Sequence, residues 1–119
     1  MKRDMDLIRF LLLQRESGEA AGGTDAYPED VKAYHAALLL DAGFIDGVSE
    51  YAPNGSVGCV FVHRLTWAGH DFLDAARSDT VWNKAKEKVL KPGLSWTFSA
   101  LLEFLKAEVR AEMLKHGIL

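Results

Sequence analysis

A mixed α+β fold, rich in helix and built round one small hairpin, is what three features of the 119-residue chain predict. Leu38-Leu39-Leu40-Asp41-Ala42 reads as a helix tail stopping at Gly43, where glycine suits a C-terminal cap. Two strand-like segments follow, Phe44 to Tyr51 and Gly58 to Leu65. Between them lies Ala52-Pro53-Asn54-Gly55-Ser56, with its Pro, Asn and Gly in turn order. Thr66 then caps a new helix entered at Trp67. Helix, strand, loop, strand, helix is the outline of a winged-helix-like module whose antiparallel wing runs from about Phe44 to Leu65.

Each element has a local reason. Asp4 or Asp6 caps a first helix running to about Ser17, with acids where the helix dipole favours them. Its Met5, Ile8, Leu12 and Leu7, Leu11 follow helical spacing. Phe10 and Leu13 point elsewhere, so the helix is apolar over more than half its girth, as burial between layers or a subunit interface requires. Gly18, Gly22 and Gly23 break the chain up to Tyr27. Pro28-Glu29-Asp30 opens a second helix, on which Val31, Tyr34, His35, Leu38, Leu39 and Ala42 recur at three- and four-residue spacing.

The segment ending at Leu65 is the strongest strand candidate, through Val60, Phe61 and Val62. In the next helix Trp67, Phe72, Leu73 and Ala76 are expected to form the apolar side, and Gly69 implies close packing. Ser78-Asp79 caps a segment from Thr80 to Leu90 with Trp82, Ala85 and Val89 on one stripe. Pro92-Gly93 breaks it. A long last helix spans residues 96–116, with Phe98, Leu101, Leu102, Leu105, Val109 and Met113 on its core side. The whole chain, 1–119, is expected to form one domain.

Composition narrows the function. Apolar residues make up 49% and charged residues 26% of the chain, which is ordinary for a globular protein and argues against disorder. The run Phe10-Leu11-Leu12-Leu13 is far too short to span a bilayer. Acidic Asp4 and Asp6 stand where a signal peptide would turn apolar, and the lone Cys59 makes no internal disulfide, so a cytoplasmic protein is expected. Net charge is −3. Residues 1–60 hold 5 Lys/Arg against 10 Asp/Glu, and residues 61–119 hold 9 against 7. Neither half is the strongly basic surface that carries most nucleic-acid affinity.

Several blocks together resemble a known family. They are Met1-Lys2-Arg3-Asp4-Met5-Asp6-Leu7-Ile8-Arg9, Tyr34-His35 with Leu38-Leu39 and Ala42-Gly43-Phe44-Ile45, then Arg64-Leu65-Thr66-Trp67-Ala68-Gly69-His70-Asp71-Phe72-Leu73-Asp74-Ala75, and Asp79-Thr80-Val81-Trp82-Asn83-Lys84. In order and spacing they are similar to domain-of-unknown-function family 2513, associated with phages. The resemblance implies a small winged-helix-like protein of bacteria and their phages or prophages; it implies no catalytic residues.

The candidate chemistry is sparse. His70 and Asp74 stand four apart on one helix face, a spacing metal ligands use, with His63 on the preceding strand. A hydrogen bond between His70 and Asp74, with His70 packed near Trp67, is the favoured reading, and no metal site is expected. Cys59 has no placed base, no serine stands in an elbow, and no glycine-rich phosphate loop follows a strand. No enzyme activity, cofactor, small-molecule substrate or membrane partner is expected.

Two non-enzymatic functions remain. The favoured one is a protein-interaction module, either a homodimer or a binder of a host or phage protein, with Phe10, Leu13, Trp67, Trp82 and Phe104 as interface candidates. Trp67 and Trp82 fit either core packing or an interface, because tryptophan is favoured in binding hot spots. The alternative is a winged-helix DNA-binding regulator. It would use Lys32 and His35 on the second helix, Asn54 and Arg64 around the wing, and Lys84, Lys86 and Lys88 on phosphates. A solvated face is the commoner meaning of such a lysine run.

Overall fold

Asp4 opens the first helix. In the computed structural model, which describes residues 1–18, 26–91, 93 and 95–118, its carboxylate accepts the Leu7 backbone N–H at 3.2 Å and caps α1 (Met5–Ser17). Gly18, at φ 74°, ends the helix in the left-handed region that glycine enters without steric cost. The predicted break after it lies mostly outside the described residues. Pro28 leads into α2 (Glu29–Asp41), whose first turn carries Glu29 and Asp30. After Gly43 the chain enters β1 (Ile45–Tyr51), turns, and returns as β2 (Val57–Leu65). Helices α3 (Trp67–Ala76), α4 (Asp79–Lys88) and α5 (Phe98–Lys115) complete it.

Among the described residues there are five helices and one two-stranded antiparallel sheet, a mixed α+β fold with a long last helix. The backbone falls into two compact units, Met1–Leu73 and Asp74–Leu119.

In the first unit the hairpin pairs Ile45 with Leu65, Val48 with Phe61 and Glu50 with Cys59. Register shifts between Asp46 and Gly47 and between Glu50 and Tyr51 bend the ribbon. Gly47 is obligatory, since a Cβ there would meet the Phe61 carbonyl oxygen at 2.2 Å. Met5, Leu7, Ile8, Leu12, Leu39, Ile45, Leu65, Phe72 and Leu73 are buried. The Phe44 and Phe72 rings stack with centroids 5.5 Å apart.

Thr66 fastens the sheet to α3. Its backbone N–H donates to the Phe44 carbonyl, its hydroxyl donates to the Gly43 carbonyl, and its oxygen accepts the Gly69 N–H at 3.1 Å. Gly69 then lies directly against the Phe44 backbone. A Cβ on it would stand 2.0 Å from the Phe44 carbonyl oxygen. The close packing expected at Gly69 is therefore backbone against backbone.

A second polar knot ties the chain start to α2. His35 is 1% exposed. Its Nδ1 lies 2.8 Å from the Val31 carbonyl and its Nε2 accepts the Asp4 N–H at 2.8 Å, so the ring proton sits on Nδ1. The Tyr27 hydroxyl donates to the other Asp4 carboxylate oxygen at 3.0 Å.

In the second unit, Ser78 caps α4 by accepting from Val81, and Thr97 caps α5 by accepting from Ala100. The last helix therefore begins at Phe98, two residues later than expected, because Thr97 supplies the cap that Trp96 cannot. Val81, Trp82, Ala85, Leu101 and Leu105 are buried. Lys84 and Glu108, 3.5 Å apart, join α4 to α5. Met113, expected on the core side of α5, is 38% exposed, and Ala111–Ile118 are all exposed.

Candidate functional site

Helix α3 has two unlike faces. Gly69, Phe72, Leu73 and Ala76, at three- and four-residue spacing, are buried. Trp67 stands two residues before Gly69, about 200° round the helix, and so projects away from that stripe. It is 83% exposed. This overturns its expected place on the apolar side of α3. Asp71, one turn further along, shares the Trp67 face and is also exposed. Among the described residues no ion pair engages Asp71.

The hairpin of the same unit adds further apolar surface. Val48 and Phe61 are cross-strand partners, 55% and 53% exposed, so they share the outward face of the ribbon. Two residues further along each strand and on that same face, the Cys59 thiol donates to Glu50 at 3.7 Å. On the other side of the Val48–Phe61 pair, Arg64 pairs with Asp46 at 2.5 Å. Among the described residues, the exposed large apolar side chains of this unit are Met1, Val48, Tyr51, Phe61 and Trp67, and Trp67 is the most exposed of them.

The remaining candidates scatter. Lys32 bonds Glu29 at 2.8 Å, and Lys84 bonds Glu108. Asn54 is exposed at the hairpin tip, where its side-chain oxygen accepts from Ser56 N–H and hydroxyl. Lys86 is half-buried and Lys88 exposed on α4. His35 is no surface contact: burial and two hydrogen bonds occupy its whole ring. Trp82 is corrected likewise, being 2% exposed and part of the α4 packing. Phe10, Leu13 and Phe104 are half-buried.

The pairing of His70 with Asp74 does not form. His70 lies 3.8 Å from Glu16, and Asp74 accepts from Arg77 at 2.8 Å. The Trp67 ring also stands clear of the packing expected with His70. Among the described residues no group of three His, Cys, Asp or Glu side chains gathers to hold a metal ion. A cleft of about 510 Å³ in the second unit has Val81, Val109 and Met113 on its walls. Its charged lining is of mixed sign, including Asp74, Lys84, Glu112 and His116. No described helix is long and apolar enough to cross a membrane.

Comparison with known proteins places this arrangement. Residues 2–95 match the family described as a hypothetical protein, DUF2513. The chain belongs to the DUF2513 family. The matched span takes in both strands and α1 to α4 and ends before α5. An uncharacterized protein of Haemophilus influenzae (strain ATCC 51907 / DSM 11121 / KW20 / Rd) is 36% identical over 107 residues, covering 85% of this chain and 89% of the relative. No solved structure matches. Trp67 and Asp71 both lie inside the family span, as does the hairpin.

The sequence marks Trp67 as a binding candidate and shows Asp71 pointing away from His70 and Asp74, but the pairing of Asp71 with Trp67 emerges from the structure. The signal was present. Laying residues 67–76 on a helical wheel separates Trp67 and Asp71 from the Gly69-Phe72-Leu73-Ala76 stripe.

Proposed function

We propose that this protein is a non-enzymatic protein-interaction module of phage or prophage origin, working in the cytoplasm and docking a partner through the exposed face of α3. The observation that carries the reading is the 83% exposure of the Trp67 ring. An indole left in water forgoes about 2 kcal/mol or more of transfer free energy that burial would recover. Tryptophan at such a place is the residue type most enriched among binding hot spots. The phage setting rests on the sequence resemblance, and the lone Cys59 suits a reducing compartment.

The test is site-specific crosslinking in the protein's own host cells. A photoreactive phenylalanine analogue replaces Trp67, and a control places it at exposed Asn83 on α4. A discrete covalent adduct from position 67, absent from position 83, is the expected result. No adduct, or the same ladder from both positions, overturns the reading. Light scattering across concentration then separates self-association from a foreign partner.

A second reading, a winged-helix DNA-binding regulator, is favoured by one observation: a helix leads into a paired hairpin and a helix leaves it. Against it, His35 is buried, and Lys32, Arg64 and Lys84 already hold carboxylates. Fluorescence anisotropy with random duplex DNA at low salt decides. Binding with a steep salt slope would establish it, and a flat response removes it.

A further inference from the structure

The exposed face of α3 also specifies its partner's chemistry. Trp67 and Asp71 stand four residues apart, the helical spacing that brings two side chains over the same turn. Trp67 offers an aromatic face, whose quadrupole attracts cations. Asp71 offers a carboxylate that no described cation neutralises. A ring face beside a free carboxylate is complementary to one kind of group, a guanidinium or ammonium that stacks on the indole and bonds the acid.

The surrounding charge points the same way. The Met1–Leu73 unit carries 6 Lys/Arg against 11 Asp/Glu, a net −5. Several of those cations are engaged: Lys32 on Glu29, Arg64 on Asp46, and Arg15 on the His63 carbonyl at 3.0 Å. Asp41 and Asp71 are exposed and form no ion pair among the described residues. The same carboxylate that attracts a cation repels a phosphate, so this face discriminates against nucleic acid. An apolar contact alone would need no acid beside Trp67.

We infer that the Trp67–Asp71 face of α3 is a receptor for an arginine or lysine side chain on a basic segment of a partner protein. This rests on the protein-interaction reading and deepens it by naming the chemistry that is recognised.

The probe is a capped hexa-arginine peptide titrated into the full-length, ¹⁵N-labelled protein, with the three indole N–H resonances of Trp67, Trp82 and Trp96 as the readout. Hexa-citrulline, of the same shape without the charge, is the control. The Trp67 resonance is expected to shift saturably with the arginine peptide and not with citrulline, while buried Trp82 stays still. Asp71→Asn should weaken binding about two- to fivefold, as for an exposed ion pair. Trp67→Leu, followed through the Asp71 backbone amide resonance instead, should weaken it by a similar or larger factor. Asp41→Asn, an exposed acid on α2, should leave it unchanged. All three positions are solvent-exposed, so the variants are expected to fold.

A Trp67 resonance that ignores the arginine peptide overturns the inference, as does an equal response to citrulline. So does equal weakening by Asp71→Asn and Asp41→Asn, which would reduce the effect to overall charge. A crosslinked adduct at position 67 together with a silent arginine titration would retain the interaction module and reject the cationic partner. Loss of both rejects both.

Discussion

The first unit holds two populations of aromatic ring. Phe72 is 1% exposed and stacks on Phe44, and His35 is enclosed by two hydrogen bonds. Trp67 and Phe61, by contrast, are 83% and 53% exposed. Phe72 and Trp67 are only five residues apart on one helix, so composition cannot account for the difference. What separates them is angle. The fold uses one face of α3 up to the limit of atomic contact and makes no use of the ring on the other. A ring the fold does not require is available to something outside it, and that is what carries the functional reading.

The largest effect expected of that contrast is on stability. Phe72→Ala should cost about 3–5 kcal/mol, through lost transfer free energy and the cavity left against Phe44. Trp67→Leu should fall within about ±0.5 kcal/mol, as exposed substitutions do. Urea unfolding followed by circular dichroism measures both. A Trp67→Leu loss as large as that of Phe72→Ala would erase the distinction between the faces.

Gly69→Ala comes next and tests the inward face at its tightest point. The added methyl would lie 2.0 Å from the Phe44 carbonyl oxygen, so the helix or the start of the hairpin must move. Alanine's better helix propensity returns about 1 kcal/mol, against overpacking that costs about 1–3 kcal/mol or more. Because the obstacle is backbone and not a flexible side chain, the balance should be a loss of about 2 kcal/mol. An urea midpoint at or above the parent's would show that the α3–hairpin junction is looser than its geometry.

Much of this was legible in the residues because the determinants are local. Asp4, Thr66, Ser78 and Gly43 each announce a helix end through chemistry that acts within four residues, and each does so in the structure. The hairpin was equally plain from Pro53-Asn54-Gly55 between two β-forming runs. What escaped depends on residues far along the chain. His35 looks like a surface residue of α2 until Asp4, 31 positions earlier, brings its N–H to the ring. The hairpin's register shifts leave no local mark. Trp67 is the exception: residue type puts it on the apolar side, and helical angle, a local signal, puts it opposite. Hydrophobicity alone misassigned it, and angle combined with hydrophobicity would not have.

The smallest effect concerns a ring between these two populations. Tyr27 is half-buried, and its hydroxyl donates to Asp4 at 3.0 Å. Desolvation, then the hydrogen bond and negative charge of Asp4, with a further contribution from Asp6, push its phenol up from 10.0 to about 12. The folded protein thus holds this proton more tightly than the unfolded chain. The stabilisation is complete below about pH 10 and is lost as pH rises through about 12. Absorbance titration near 295 nm should show one phenolate of the three tyrosines appearing late, with a midpoint near 12. Tyr27→Phe should remove that late step and leave the others. If the late step survives in Tyr27→Phe, the Asp4 bond does not persist in solution, and Tyr27 joins the exposed rings.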